Sequence, residues 1–270
     1  MTAFSAAIVL VPALVSSQVS PKIATATRVE RAPRVDGRLD EALWSRAVRI
    51  DDFTQQRPTP GAEASERTEM YLVYDNEALY VGARMLRQDP SRILRALNRR
   101  DGMGAAERIT ITLDPQRDRR TGVGFGVTAA GVRSDFRHTQ DDDRKGRESQ
   151  FEPVWTAAAE LDSTGWSAEM RIPFSQLRFP AAENQQWGVQ LDRWMPDKNE
   201  DMQWVMIPPN EAGYISRFGT LQGISGIASA RPIELLPYVA GDATRRASTT
   251  ATNPLLRNYS ARIGGDMKVG

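Results

Sequence analysis

"ERITITLDPQRDRRTGVGFGVTAAGV", residues 107–132, contains two runs of strict alternation. In the first, Ile109, Ile111 and Leu113 alternate with Arg108, Thr110 and Thr112; in the second, Val123, Phe125 and Val127 alternate with Gly122, Gly124 and Gly126. Successive side chains of a strand point to opposite faces, so each run has an apolar face and a polar or small one. Two half-buried strands are predicted, with their apolar faces turned to a core.

The same period recurs on both sides. "VWTAAAEL" (154–161) aligns Trp155, Ala157, Ala159 and Leu161, and "GWSAEMRI" (165–172) aligns Trp166, Ala168, Met170 and Ile172. "YLVYDNEALYVGARM" (71–85) is apolar on both faces and reads as a hairpin of central strands turning at Asp75-Asn76. Trp187 is in register with Val189 and Leu191, a core position, and Trp204 in "DMQWVMIP" (201–208) falls on a hairpin partner in a structural role. From Ile23 to about Gly226 these short strands, punctuated by Gly, Pro, Asn and Asp, predict an all-β fold: an antiparallel, jelly-roll-like β-sandwich with minor helices.

Two short helices are expected: "DEALWSRAV" (40–48) with Asp40 as N-cap, and "DPSRILRAL" (89–97) with Asp89 as N-cap and Pro90 at the first helical position. The first belongs to "VDGRLDEALW" (35–44), where Asp36-Gly37 makes a turn and Leu43, Trp44, Ala47 and Val48 form an apolar stripe able to close the end of the sandwich. Trp44 is read as a buried plug. "RHTQDDDRKGRESQ" (137–150) has no apolar period and many charges, and is predicted to be an exposed, mobile loop.

At 270 residues the chain can bury a large core, and Lys+Arg 35 against Asp+Glu 34 leaves no net field to gather nucleic acid. Without cysteine there is no disulfide framework, thiolate nucleophile or cysteine-ligated metal. One histidine, His138, beside the charged loop, leaves neither a His-rich zinc site nor a triad with any other histidine, and argues against a haem ligand. The acids Asp141, Asp142, Asp143, Glu148 and Glu152 sit where nothing apolar would raise a pKa, so the paired carboxyls of a glycosidase are not expected among them. Weak calcium candidates are Asp141 to Asp143, with Asp114 and Asp118 in "LDPQRD"; otherwise no cofactor is expected.

The two ends differ from the middle. Residues 1–20 form an apolar run ending in small residues, either a signal peptide lacking its leading Lys or Arg or a hydrophobic N-terminal strand. In "NYSARIGGDMKVG" (258–270), Tyr259, Ala261, Ile263, Met267 and Val269 alternate with Ser260, Arg262, Asp266 and Lys268. That is the length and pattern of a tilted strand crossing an outer membrane, and equally of a soluble edge strand.

"VDGRLDEALW", "LVYDNEALYVGARM", "ERITITLDPQRDRRTGVGFGVTAAGV", "GWSAEMRIPFSQL", "WGVQLDRW" and "RFGTLQGI" together resemble the family 9 carbohydrate-binding module and its wider relatives with a DOMON-like sandwich, over residues 28–226. The chain also resembles the N-terminal part of long bacterial proteins in which this module precedes an outer-membrane β-barrel of unknown function. That resemblance implies an exported protein of the periplasm or outer membrane of a Gram-negative bacterium. It also implies a barrel opening in 231–270 that is truncated at Gly270, with the barrel as the module's own partner. Attachment of related modules to xylanases would give a glycoside-hydrolase label by association only; no catalytic residue is expected.

The resemblance implies a sugar held between two tryptophans, and this chain departs from it. "DGMGAAE" (101–107) offers no ring where one tryptophan stands, "NEAGYISRFG" (210–219) offers Tyr214 near the other, and Gly126 replaces an arginine. On the non-core face the candidate carbohydrate-binding residues are Trp194, Asp192, Gln190, Tyr214, Thr110 and Thr112, beside the glycines 122, 124 and 126. Either that small-residue floor makes a shallow groove for a polysaccharide or oligosaccharide, or it lets a loop or the barrel pack closely. The expected function is accordingly a non-catalytic glycan-binding module linked to carbohydrate catabolism, or a docking domain that binds no sugar.

Overall fold

The computed structural model describes residues 22–102, 104–143, 145–228, 233–247 and 255–269; the expected signal peptide lies outside them. In chain order the strands are β1 Ile23–Thr25, β2 Thr27–Arg28, β3 Thr54–Arg57, β4 Thr68–Tyr74, β5 Ala78–Leu86, β6 Arg108–Asp114, β7 Gly122–Thr128 and β8 Arg133–His138. They continue as β9 Arg147–Glu148, β10 Thr156–Asp162, β11 Gly165–Pro173, β12 Asn184–Met195, β13 Glu200–Gln203, β14 Gly219–Ser225, β15 Ile233–Ala247 and β16 Leu255–Val269.

These strands build the expected all-β sandwich. The larger sheet runs β1-β14-β12-β6-β7-β8-β9, with β13 and then β3 extending the distal half of β12; the smaller runs β10-β11-β5-β4-β2. Pairing is antiparallel except at β1–β14 and β2–β4. The core lies between the sheets: Ile109, Ile111, Leu113, Phe125, Val127, Val189 and Leu191 on one side meet Met70, Leu72, Leu79, Val81, Trp166, Ala168, Met170 and Ile172 on the other, all buried. Burying each large aliphatic or aromatic side chain contributes about 1.5–3 kcal/mol. Trp187 and Trp204 are in this core as well.

One inward position carries charge. Arg193 on β12 is fully buried and donates from Nε and Nη2 to Glu107 Oε1 at 3.0 and 2.6 Å, from Nη1 to Thr68 Oγ1 at 3.0 Å, and to the carbonyls of Arg67 and Leu86. Glu107 Oε1 also accepts from Trp166 Nε1 at 2.8 Å. Arginine here ties the larger sheet to the ends of β4 and β5 in the smaller one.

The helices are shorter than expected. α1 spans only Ala42–Arg46, and its N-cap is Glu41, not Asp40. Glu41 makes no capping bond; its carboxylate accepts instead from Arg34 N and Trp44 Nε1. α1 covers the outer face of the smaller sheet, where Trp44 packs with Val73, Ala78 and Tyr80, and does not close the sandwich end. Val48 points away, 49% exposed. The second helix is a single 3-10 turn, Pro90–Arg92, with Asp89 accepting from Ser91 N. Ile93 is buried while Leu94 and Leu97 are exposed, so no apolar stripe exists to support a longer one.

β15 and β16 form a separate two-stranded ribbon, 15 residues each, in register from Ile233↔Val269 to Ala247↔Leu255. The odd-numbered positions of one strand face the odd-numbered positions of the other.

Candidate ligand-binding site

The outer face of the larger sheet is read in rows across the strands. One row runs Arg108 (β6), Trp194 (β12), Asp201 (β13), Arg57 (β3); the next runs Ser134 (β8), Gly126 (β7), Thr110 (β6), Asp192 (β12), Gln203 (β13). A third runs Phe136, Gly124, Thr112, Gln190.

Over this third row the glycines serve packing. A Cβ on Gly124 would lie 2.1 Å from Phe136 Cζ, and one on Gly122 would lie 2.9 Å from Ile215 Cδ1, so the bare backbone admits a ring and a loop side chain. Thr112 is fully buried. Gln190 is buried too, its amide donating to the Val205 carbonyl at 2.6 Å and its Oε1 accepting from the Val205 and Leu191 amides. Both side chains are thus covered by protein atoms, and Gln190 ties β12 to the segment after β13.

The segment expected to be a mobile loop is folded onto this face. β8 continues to His138, which is fully buried between Phe136 and Tyr214 with Nδ1 3.2 Å from the Asp142 carbonyl. Burial, then the neighbouring Arg147 charge, lowers its pKa. Asp141 accepts from the Tyr214 amide at 2.8 Å and from the amide and hydroxyl of Ser216 at 2.9 and 2.6 Å, and Asp142 accepts from the Lys145 amide. Of the carboxylates that read as solvated charge, Asp141 instead ties its loop to residues 214–216, and Asp142 braces the loop itself.

The calcium candidates therefore do not converge: Asp141 and Asp142 are spent on backbone N–H groups, and Asp143 points into the cleft described next. Asp114 accepts from the amides of Asp118 and Arg119, and Asp118 from those of Arg120 and Thr121. Among the described residues no group of three or more His, Cys, Asp or Glu is placed to hold a metal ion.

The first two rows remain open and form the floor of a cleft of about 160 Å³. It is lined by Arg57, Arg108, Thr110, Phe136, Asp143, Arg147, Asp192, Trp194, Asp201, Gln203 and Tyr214. It shares Arg57, Asp143, Gln203 and Tyr214 with a second hollow of about 450 Å³ that runs out along Ile207 to Gly213. Four sequence candidates, Thr110, Asp192, Trp194 and Tyr214, thus meet here. Tyr214 is only 7% exposed, wedged between His138 and Phe218, and offers no open ring face. Trp194 has guanidinium groups near it from β3 and β6, Arg57 at 5.5 Å and Arg108 at 5.7 Å from the ring centroid, and Arg147 lies 3.5 Å over Phe136.

The electrostatics follow from partial dehydration. Asp192 lies deep among protein atoms while keeping an opening to the cleft, and burial first, then the charges of Asp201 and Asp143, push its pKa well up. Burial also raises Asp201, although Arg57 pairs with it at 2.9 Å. The same loss of water lowers Arg108 and Arg147. Arg57, Arg147, Asp201, Gln203 and Phe136 were not legible as site residues. Arg108 shares the Thr110 face in the alternation, but Arg57 and Asp201 arrive only through the β3–β13 pairing.

The model of the family described as "Carbohydrate family 9 binding domain-like" matches residues 35–222, which include every sheet element from β3 to the start of β14. The chain belongs to this family. The family 9 domain shares its fold with a family 9 carbohydrate-binding module from Caldicellulosiruptor kristjanssonii. Against the complex with cellotriose, identity is 17% and the TM-score 0.51, covering 74% of this chain and 93% of that one. Against the glucose complex the values are 16% and 0.52, covering 77% and 97%. A protein of Bacteroides uniformis ATCC 8492 superposes with a TM-score of 0.60 at 12% identity, covering 75% and 99%. No curated protein matches the chain.

Proposed function

We propose that the sandwich of this family 9 domain is a non-catalytic glycan-binding module whose ligand seat is the cleft over Thr110, Asp192 and Trp194. The carrying observation is the cleft itself: on a carbohydrate-binding-family fold, this is where donors and acceptors from β3, β6, β12 and β13 open to solvent together. Sugar hydroxyls pair with planar polar side chains, and a partly dehydrated floor strengthens each bond. Titration with mono- and oligosaccharides tests it. Wild-type protein is expected to bind, and Trp194→Ala and Asp192→Ala each to lose about tenfold or more in affinity, the worth of one or two hydrogen bonds. No binding by the wild type across a glycan array would instead leave a docking domain that holds no sugar.

We further propose that the protein is exported, that β15–β16 opens an outer-membrane barrel, and that the module serves carbohydrate uptake or breakdown from the periplasmic side. The register supports the barrel: it sets Pro237, Val239 and Gly241 on one face with Gly265, Ile263 and Ala261, while Tyr238 and Ala240 share the other with Gly264 and Arg262. In sequence, the alternation from Tyr259 to Val269 covers about the 9–11 residues that a tilted strand needs to cross a bilayer.

A further inference from the structure

The hollow that continues the cleft is walled by two segments distant in sequence. Asp141 to Asp143 come from one and residues between Ile207 and Tyr214 from the other, beside Gln56, Arg57 and Gln203 of β3 and β13; Asp143 and Tyr214 line the cleft as well. Neither 139–146 nor 205–213 belongs to a strand, so contacts outside the sheet ladders hold both in place. Asp141 supplies the bonds that join them. Its Oδ1 accepts from the amides of Tyr214 and Ser216 at 2.8 and 2.9 Å, and its Oδ2 from the Ser216 hydroxyl at 2.6 Å. Gly213 turns the chain into this contact at φ +89°, and a Cβ there would lie 2.7 Å from Ser216 Oγ and 3.4 Å from Asp141 Oδ2.

Burial acts to raise the Asp141 pKa, but the hydrogen bonds from Ser216 and Tyr214 outweigh it and the net shift is downward. The group thus stands as a carboxylate, and its bonds are charge-assisted. A wall that is already ordered spares a ligand the entropy of ordering it. We propose that Asp141 is a positioning residue of the ligand seat: by clasping residues 214–216 to the 139–147 segment it holds Tyr214 and the adjoining hollow in their binding geometry. The proposal rests on the glycan-binding reading above and names the residue that shapes the hollow. Coupling of this kind is reciprocal, so a bound glycan tightens the clasp in turn.

In the full chain, affinity for cellotriose and for the glycan bound best on an array is measured beside hydrogen exchange at the Tyr214 and Ser216 amides. Asp141→Ala is expected to weaken binding about tenfold and to speed exchange at both amides by a similar factor, while Asp141→Asn, which keeps a carbonyl acceptor, does less. Asp141 itself lines the hollow, so a second cut is needed from the other side. Ser216 lines neither hollow, and Ser216→Ala should still weaken binding about threefold. The double variant should lose no more than Asp141→Ala alone, as the two ends of one clasp do. Should Asp141→Ala fail to fold, Asp141→Asn and Ser216→Ala carry the same comparison. Unchanged affinity in Ser216→Ala, additive losses in the double variant, or exchange at 214–216 indifferent to residue 141 overturns the clasp and leaves the glycan-binding reading intact. Failure of every sugar to bind the wild type overturns both.

Discussion

Arg193 and Glu107 set the strongest single-residue constraint on the core. Both side chains are fully buried between the sheets, and the arginine satisfies two strand-end carbonyls as well as the carboxylate. Removing one partner leaves a charge in a medium that cannot solvate it, and Glu107→Gln is expected to cost about 3–5 kcal/mol in urea unfolding. A joint replacement of Arg193 by Met and Glu107 by Leu should cost less than the single change, because no charge is left stranded. A single-mutant cost under about 1 kcal/mol would show that the pair is solvated. Arg193 continues the inward register of Val189 and Leu191, and its partner lies 86 residues earlier in the chain. The period of two gives it a core position, but only the tertiary fold brings it the carboxylate that neutralises it.

At the level of elements, the segment 35–44 changes its meaning. Its Asp36 and Gly37 amides both donate to Glu169 Oε2 at 2.9 Å, and Trp44 Nε1 donates to Glu169 Oε1 at 3.1 Å. The turn and the short helix are thus pinned to the outer face of the smaller sheet through one carboxyl group on β11. Gly82 beneath is bare because a Cβ there would lie 2.8 Å from the Trp44 ring. Burial, outweighing these N–H bonds, pushes Glu169 up from 4.5 to about 7. Since the folded value is the higher one, the protonated acid favours the fold. That contribution is complete below about pH 4.5 and is lost as pH rises to about 7. Glu169→Gln should flatten this part of the stability–pH profile in thermal melts, and an unchanged slope would show that the carboxyl does not titrate there. The turn and helix of this motif were readable from Asp36-Gly37 and the stripe at Leu43, Trp44 and Ala47. The anchor was not, because Glu169 in "GWSAEMRI" looks like any outward residue of an alternating strand.

For the molecule as a whole, the proposed barrel turns on the ribbon of β15 and β16. Val239 and Ile263, paired directly, are 78% and 85% exposed. If this face meets lipid, Val239→Lys or Ile263→Lys should weaken membrane partition by about 2–4 kcal/mol near the bilayer centre. Arg262→Gln on the other face should change it little. Fractionation of cells expressing the full chain checks this, and soluble wild-type protein would refute the barrel.

The alternation in 107–132, 154–172 and 187–194 sufficed for the class of fold, the inward faces and core residues such as Ile109, Phe125, Trp166 and Leu191, because a period of two is a property of the local chain and burial follows from it. Thr110, Asp192 and Trp194 were legible as outward neighbours for the same reason. Which outward positions face solvent and which are roofed over depended on segments distant in sequence: Phe136 and Ile215 closing the glycine floor, Asp141 binding the 210–217 loop, β3 bringing Arg57 to Trp194. Periodicity assigns a side to each residue. Only the pairing of remote strands and the loops they carry settles what stands on that side.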